Sequence, residues 1–237
     1  MIQIQLLGIG AVKIVSNERT IYIDAFNSFN EVPPVKENDL LLFTHNDSDH
    51  FLCDKLKGNI SNNNIVIGPP SITYPIFESK FINPNNLIIY YPVNYYEPQQ
   101  YEDKETIIKV FNTDHFIGWH NVHISFLIEI ENKKIYITGD SYIRKENEQA
   151  LQNIDCIIAS LMNESIASGK IDKQYGKYYH VWELIELKEK LKPNTIIGNH
   201  MINCGWTINP ADLREIIERE RILDVIIPVS SEEVVII

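Results

Sequence analysis

The sequence predicts a mixed α/β (α+β) fold in a single domain spanning residues 1–237. Three observations carry this expectation. Short apolar segments with strand periodicity dominate the first part of the chain. Helical apolar stripes alternate with short apolar runs in the last part. No linker or shift in composition separates the two. The order is also compatible with two similar halves placed face to face.

Ile2, Ile4 and Leu6 alternate with Gln3 and Gln5, and strands are expected again at Val12–Val15 and Thr20–Asp24, with turns at Gly8–Gly10 and Ser16–Arg19. Gly8-x-Gly10 lacks the third glycine and the following helix of a nucleotide fingerprint, so it reads as a tight hairpin turn. Pro33-Pro34 and a polar loop lead into Leu40–Phe43, a buried strand. A short helix should begin within Leu52–Leu56 and stop at Gly58, and a strand at Ile65–Ile67 should stop at Gly68-Pro69-Pro70. Residues 71–104 are rich in Asn, Pro and Tyr and give weak signals, with Leu87–Tyr91 the best strand among them. Ile107–Phe111 and Val122–Ile130 read as strands, the second turning through Glu131–Lys134 into Ile135–Thr138. A helix is expected at 144–152, a buried strand at Cys156–Ala159, and a helix at Val181–Leu191 with Leu184, Leu187 and Leu191 on one face. A strand at Thr195–Gly198, a helix at Pro210–Arg221 and two strands at Val225–Ile227 and Val234–Ile237 follow.

Hydrophobic residues make up 44% of the chain and charged residues 22%, which suits a globular protein with a substantial core. The formal charge of −11, without any basic run, disfavours a nucleic-acid partner. No apolar run approaches the roughly 20 residues of a membrane span. Met1–Leu7 shows neither the basic leader nor the cleavage site of a secretory signal. Cys53, Cys156 and Cys204 are odd in number and widely spaced, which fits a reducing compartment and makes the cytoplasm the default location. Each reads most simply as a small buried hydrophobe. A small-molecule substrate is the expected partner, and a homo-oligomer is compatible with the sequence.

Directly after Leu40–Phe43 comes Thr44-His45-Asn46-Asp47-Ser48-Asp49-His50, with two imidazoles and two carboxylates in six residues. A strand would project them into a loop at its end. Imidazole with carboxylate suits a borderline or hard divalent cation such as zinc, manganese or iron. A lone Asp or His at a strand end is ordinarily a cap or turn residue; the concentration of four is what favours a metal site.

This stretch resembles the T-H-x-H-x-D-H motif of the metallo-β-lactamase superfamily, with Asp47 where the family usually has its second His. Leu7-Gly8 with Ile21–Asp24 is similar to the family's opening hairpin and "I-D-P" strand, and Ile135–Ser141 to its "Y-x-T-G-D-T/S" segment. Leu191–His200 resembles the strand that ends in its last metal histidine, and the terminal strand pair matches as well. The resemblance spans nearly the whole chain in order and is closest to the branch of ascorbate-6-phosphate lactonase-like hydrolases.

It implies a four-layer αββα sandwich with a dinuclear site for two divalent ions, zinc or manganese/iron. His45, Asp47 and a histidine before the long hairpin would hold one ion, Asp49, His50 and His200 the other, and Asp140 would bridge them. Asp49 and Asp140 would thus belong to the catalytic centre. The histidine before the hairpin has three candidates. His115 follows a strand end as the family ligand does and is preferred; His120 would then be a loop residue or a group behind the ligands, and His123 lies within an alternating strand where an outward or packed imidazole is the ordinary outcome. Asp114 is either an acceptor that orients a ligand imidazole or an exposed turn carboxylate.

Asp47 makes its position harder and more negative, which favours manganese, iron or magnesium over zinc. If its shorter side chain falls short, a mononuclear centre at Asp49, His50 and His200 is left. His180, before a helix, reads either as a proton donor or substrate contact in the catalytic cleft or as a surface histidine. Lys170, Lys173 and Lys177 form either an anion-attracting lid or a solvated loop. The tyrosines at 90, 91, 95, 96 and 101 read as core and interface aromatics.

The reaction expected is metal-dependent hydrolysis of a small ester, lactone or phosphoester by a metal-bound hydroxide, which needs no serine or cysteine nucleophile. The alternative is a metal-binding or structural protein on the same scaffold whose altered site no longer turns over. An RNA-processing nuclease is disfavoured by the charge and by the lack of room for an additional domain.

Overall fold

The computed structural model describes residues 1–17, 19–91, 98–115, 122–141, 143–161, 184–202 and 209–237. Its strands are β1 (Gln3–Leu6), β2 (Val12–Val15), β3 (Thr20–Ile23), β4 (Leu40–Leu42), β5 (Ile65–Gly68), β6 (Leu87–Ile89), β7 (Gln99–Glu102), β8 (Thr106–Thr113), β9 (His123–Ile130), β10 (Lys133–Ile137), β11 (Cys156–Ser160), β12 (Thr195–Asn199), β13 (Val225–Ile226) and β14 (Val234–Ile236). Among the described residues they form two seven-stranded sheets, in the orders β14-β1-β2-β3-β4-β5-β6 and β13-β12-β11-β10-β9-β8-β7.

The sheets have a common plan. In the first, β1, β2 and β3 form an antiparallel meander and β3 to β6 run parallel. In the second, β7 to β10 are antiparallel and β10 to β13 parallel. Alternation along β1 and β2 sends Ile4, Leu6, Val12 and Ile14 inward, where they meet Ile108, Val110, Phe126 and Ile128 of the opposite sheet in one buried cluster.

Each outer face is covered by helix. Helices α1 (Cys53–Leu56) and α2 (Pro70–Ser79) contribute Leu56, Ile72 and Ile76, packed with Leu41, Phe43 and Val66. On the other side α3, running through 184–191, and α4 (Pro210–Arg219) contribute Leu184, Leu191, Leu213 and Ile217, packed with Leu127, Tyr136 and Ile157. The layers are therefore αββα, as the family resemblance implies. No described helix is long and apolar enough to cross a membrane.

Several elements differ from expectation. The region 144–152 forms only a 3-10 turn, Lys145–Asn147, followed by turns. Leu151 is the one buried apolar side chain of this stretch, so little packing supports a longer helix there. Helix α2 falls in the weakly patterned region. Pro70 suits a first helical turn, and Ile72 and Ile76, one turn apart, are buried, which offsets the hydrogen bond lost at Pro75. Strand β7, also missed, is a polar edge strand with alternately exposed residues. The β9–β10 turn tightens to Glu131-Asn132, both at positive φ, as a two-residue hairpin of primed type requires. The two closing strands do not pair with each other: β13 lies beside β12, and β14 beside β1. Cys156 is buried, but Cys53 is only half-buried beside Ser79. Cys204, Tyr95 and Tyr96 lie outside the described residues.

Candidate metal centre

The carboxyl ends of β3, β4, β10, β11 and β12 meet along one edge of the sandwich. Parallel strands make this possible, because their ends and following loops all fall on the same side. Asp24 follows β3, His45 to His50 follow β4, Asp140 follows β10, Ser160 ends β11, and His200 follows β12. His115 comes from the end of β8 and forms an isolated bridge with Ser141.

Two donor clusters result. Asp49, His50, Asp140 and His200 offer ligand atoms that all lie within 4.8 Å of one another, and so do His45, His115 and Asp140. Asp140 belongs to both through one oxygen: its Oδ2 lies 3.2 Å from His50 Nε2, 3.2 Å from His200 Nε2 and 3.9 Å from His115 Nε2. Asp49 Oδ2 is 3.4 Å from His200 Nε2. Asp47, the least buried member, sits with Oδ2 3.6 Å from Nε2 of both His45 and His115. Imidazole nitrogen and carboxylate oxygen, four donors in one cluster and three plus Asp47 in the other, are the donor chemistry that a pair of borderline or hard divalent cations requires.

Groups behind the donors set their orientation. Buried Asp24 accepts from Thr44 N at 2.8 Å, from Thr44 Oγ1 at 2.6 Å and from His50 Nδ1 at 2.8 Å. His50 Nδ1 thus carries a proton, and Nε2 is the atom turned to the cluster. Thr44 Oγ1, having given its hydrogen to Asp24, accepts from His45 Nδ1 at 2.9 Å, so His45 likewise presents Nε2. Ser160 Oγ donates to Asp140 Oδ1 at 3.0 Å, which leaves Oδ2 for the clusters.

The local charges are strongly coupled. Burial opposes a proton on His50, but Asp140 and Asp24 outweigh it and raise its pKa to about 10. Burial also opposes the Asp140 carboxylate, yet His200 and His50 hold its pKa well below the usual range. For Asp49 burial is likewise outweighed, by His200 and His50, and the pKa is lowered. Burial and the neighbouring His50 lower that of His45. Two glycines make room for the rings. A Cβ at Gly10 would lie 2.6 Å from His50 Cε1, and one at Gly139 would lie 2.8 Å from the His123 ring and 2.9 Å from Thr44 Cγ2, both at positive φ. Gly139→Ala is therefore expected to destabilise the protein by about 1–3 kcal/mol and to lower bound metal per chain, read by thermal unfolding and elemental analysis.

The structure thus brings together His45, Asp47, Asp49, His50, His115, Asp140 and His200. His180, His120, Lys170, Lys173 and Lys177 lie outside the described residues. Asp114 is exposed and pairs with Arg144. Sequence reasoning left Asp24 as part of a strand and passed over Ser160; both sit at the carboxyl end of a buried apolar run, the signal already used for Asp140. His123 is buried against the rings of His45 and His115, with centroids 4.8 and 5.7 Å away.

A two-sheet αββα sandwich with His/Asp clusters at its strand ends defines a class of metal-binding protein. The chain belongs to the metallo-β-lactamase superfamily: residues 3–200 match the family described as the beta-lactamase superfamily domain. No curated protein matches it by sequence. Solved structures share the fold. A metallo hydrolase of the archaeon Ignicoccus hospitalis is 14% identical at a TM-score of 0.71, covering 99% of this chain and 97% of its own. A possible metal-dependent hydrolase of Veillonella parvula is 16% identical at a TM-score of 0.71, covering 99% of each chain. An isothiocyanate hydrolase from Delia radicum gut bacteria is 16% identical at a TM-score of 0.69, also covering 99% of each.

Proposed function

We propose that the protein is a hydrolase whose two donor clusters each hold a divalent ion and whose substrate is a small ester, lactone or phosphoester. The observation that carries this reading is the placement of Asp140 Oδ2, within 3.9 Å of imidazoles from both clusters. His45, His115 and Asp47 would hold one ion and Asp49, His50 and His200 the other, with Asp140 available to both. Ions bound there would lower the pKa of a coordinated water towards neutrality and polarise the substrate oxygen. Three carboxylates, Asp47, Asp49 and Asp140, would offset the mutual repulsion of two such cations. Asp47, a hard donor, favours manganese or iron over zinc in its own cluster. The widely spaced cysteines support a cytoplasmic setting.

The test is elemental analysis followed by hydrolysis assays on lactones, carboxylic and thioesters, phosphodiesters and, given the similar fold of a named isothiocyanate hydrolase, isothiocyanates. Turnover of one class, abolished by chelation and restored by metal, supports the reading. Fewer than one tightly bound metal per chain overturns it. The alternative, a scaffold that has lost its chemistry, is motivated by Asp47. Asp47→His would leave such a scaffold inert, whereas a gain in zinc-supported hydrolysis favours a tuned enzyme.

Metal uptake should also be linked to protons. With its pKa at about 10, His50 is protonated at neutral pH in the metal-free protein and must give up that proton to become a ligand. Affinity should therefore rise with pH up to that value, by about tenfold per pH unit for each proton displaced. Calorimetry at pH 7 in buffers of different ionisation enthalpy should record the release; uptake of protons, or none, contradicts the assignment.

A further inference from the structure

His123 takes part in neither donor cluster, yet its ring lies against both His45 and His115. Each of its nitrogens has a defined partner. Nε2 is 3.0 Å from the backbone nitrogen of Asp140. A peptide N–H can only donate, so this ring nitrogen is the acceptor and carries no hydrogen. Nδ1 is 2.7 Å from Thr113 Oγ1, whose own hydrogen is directed at the His123 carbonyl, 3.4 Å away. The hydroxyl therefore accepts from Nδ1. Both ends of the ring demand the same neutral tautomer, Nδ1–H with a bare Nε2.

We propose that His123 is a positioning residue: it holds the peptide between Gly139 and Asp140 as a fixed acceptor and thereby sets the aim of the Asp140 carboxylate at the junction of the two clusters. This deepens, and rests on, the metal reading above. A buried histidine with a purely packing role could satisfy its nitrogens anywhere. Here the acceptor meets the one backbone N–H whose side chain serves both clusters, and the preceding residue is a glycine whose missing Cβ leaves the space the ring occupies. Thr113 and His123 face each other in the β8–β9 register, so the ring is anchored to the rigid sheet and not to a loop.

Asp140 is thus held at two points from two strands, its backbone by His123 on β9 and its Oδ1 by Ser160 on β11. With both fixed, the remaining freedom of the carboxylate is small and Oδ2 stays on the shared position. Removing the acceptor frees the peptide to rotate while leaving every donor atom in the chain. The expected result is weaker metal binding without loss of any ligand.

The experiment pairs two substitutions with one measurement on the unaltered protein. His123→Phe keeps the ring's bulk and removes the acceptor; His123→Gln keeps an acceptor oxygen near the place of Nε2. Zinc and manganese affinities are measured against a chromophoric chelator, with thermal unfolding to verify folding, and the cobalt absorption spectrum reports ligand geometry. We expect His123→Phe to bind metal about 10- to 100-fold more weakly with an altered cobalt spectrum, and His123→Gln to recover most of the loss. In metal-free wild-type protein, long-range nitrogen–proton NMR should show His123 as the Nδ1–H tautomer. The Nε2–H tautomer overturns the proposal whatever the variants do, and so does a folded His123→Phe protein with wild-type affinity and spectrum, the result a packing role predicts. A wild-type chain that binds neither metal overturns the metal reading itself, and this inference with it.

Discussion

Asp140→Ala should bind at most one divalent ion per chain and lose essentially all hydrolysis. The other donors each face one cluster, whereas Asp140 Oδ2 faces both. Its removal takes one of four donors from the first cluster and one of three from the second. It also takes a negative charge from the point where two cations would repel each other most. Transition-state charge stabilisation of several kcal/mol by a metal centre corresponds to a rate loss of about 10³-fold or more. Asp140→Asn is the sharper variant. Its Oδ1 can still accept from Ser160, but an amide NH₂ then points where Oδ2 stood, towards His50 and His200, and repels cations instead of binding them. Both variants should show the loss in metal stoichiometry and in kcat/KM. Two bound ions with an undiminished rate would remove Asp140 from the centre.

The strands were readable in the sequence wherever burial was two-sided or regular, whereas their stacking into a sandwich was implied by the family resemblance. Leu40–Phe43, Ile135–Thr138 and Cys156–Ala159 are apolar runs that only a covered strand explains, and all three proved to be strands leading to the site. Where burial is partial, pattern fails. Polar β7 is stabilised by its pairing with β8, and α2 by two isoleucines against the sheet despite an internal proline. The predicted helix at 144–152 failed for the opposite reason, having local propensity but almost nothing to bury. In the site, the donors near one another in sequence could be grouped by spacing. Asp24, Ser160 and His123 could not, because their roles depend on contacts between residues 17 to 26 positions apart and on which atom of a ring meets which partner. His123 in particular sits in an apolar alternation that reads as ordinary packing, and only the position of its Nε2 against Asp140 N separates it from a core histidine.

Asp24→Ala should have the largest effect on stability. Its carboxylate is 1% exposed and receives three hydrogen bonds, two from Thr44 and one from His50. Removing one partner of a buried charged network typically costs about 3–5 kcal/mol, since the protonated His50 loses one of its two counter-charges and keeps its burial. Position 24 also has φ +50, which aspartate tolerates better than alanine. For a chain of this size each kcal/mol moves the melting point by about 2–4 °C, so a drop of roughly 10 °C is expected. Asp24→Asn separates the two consequences. It keeps an acceptor for Thr44 N and the tolerance of positive φ, but it opposes an amide NH₂ to His50 Nδ1–H. That conflict favours the other tautomer, with Nδ1 bare and Nε2 protonated, which turns a hydrogen instead of a lone pair towards the metal. Its melting point should fall less than that of the alanine variant, while metal affinity should fall by about 10- to 100-fold. If Asp24→Asn binds metal as the wild type does, Asp24 supports the fold alone and His50 owes its orientation to Asp140 and the confined space beside Gly10.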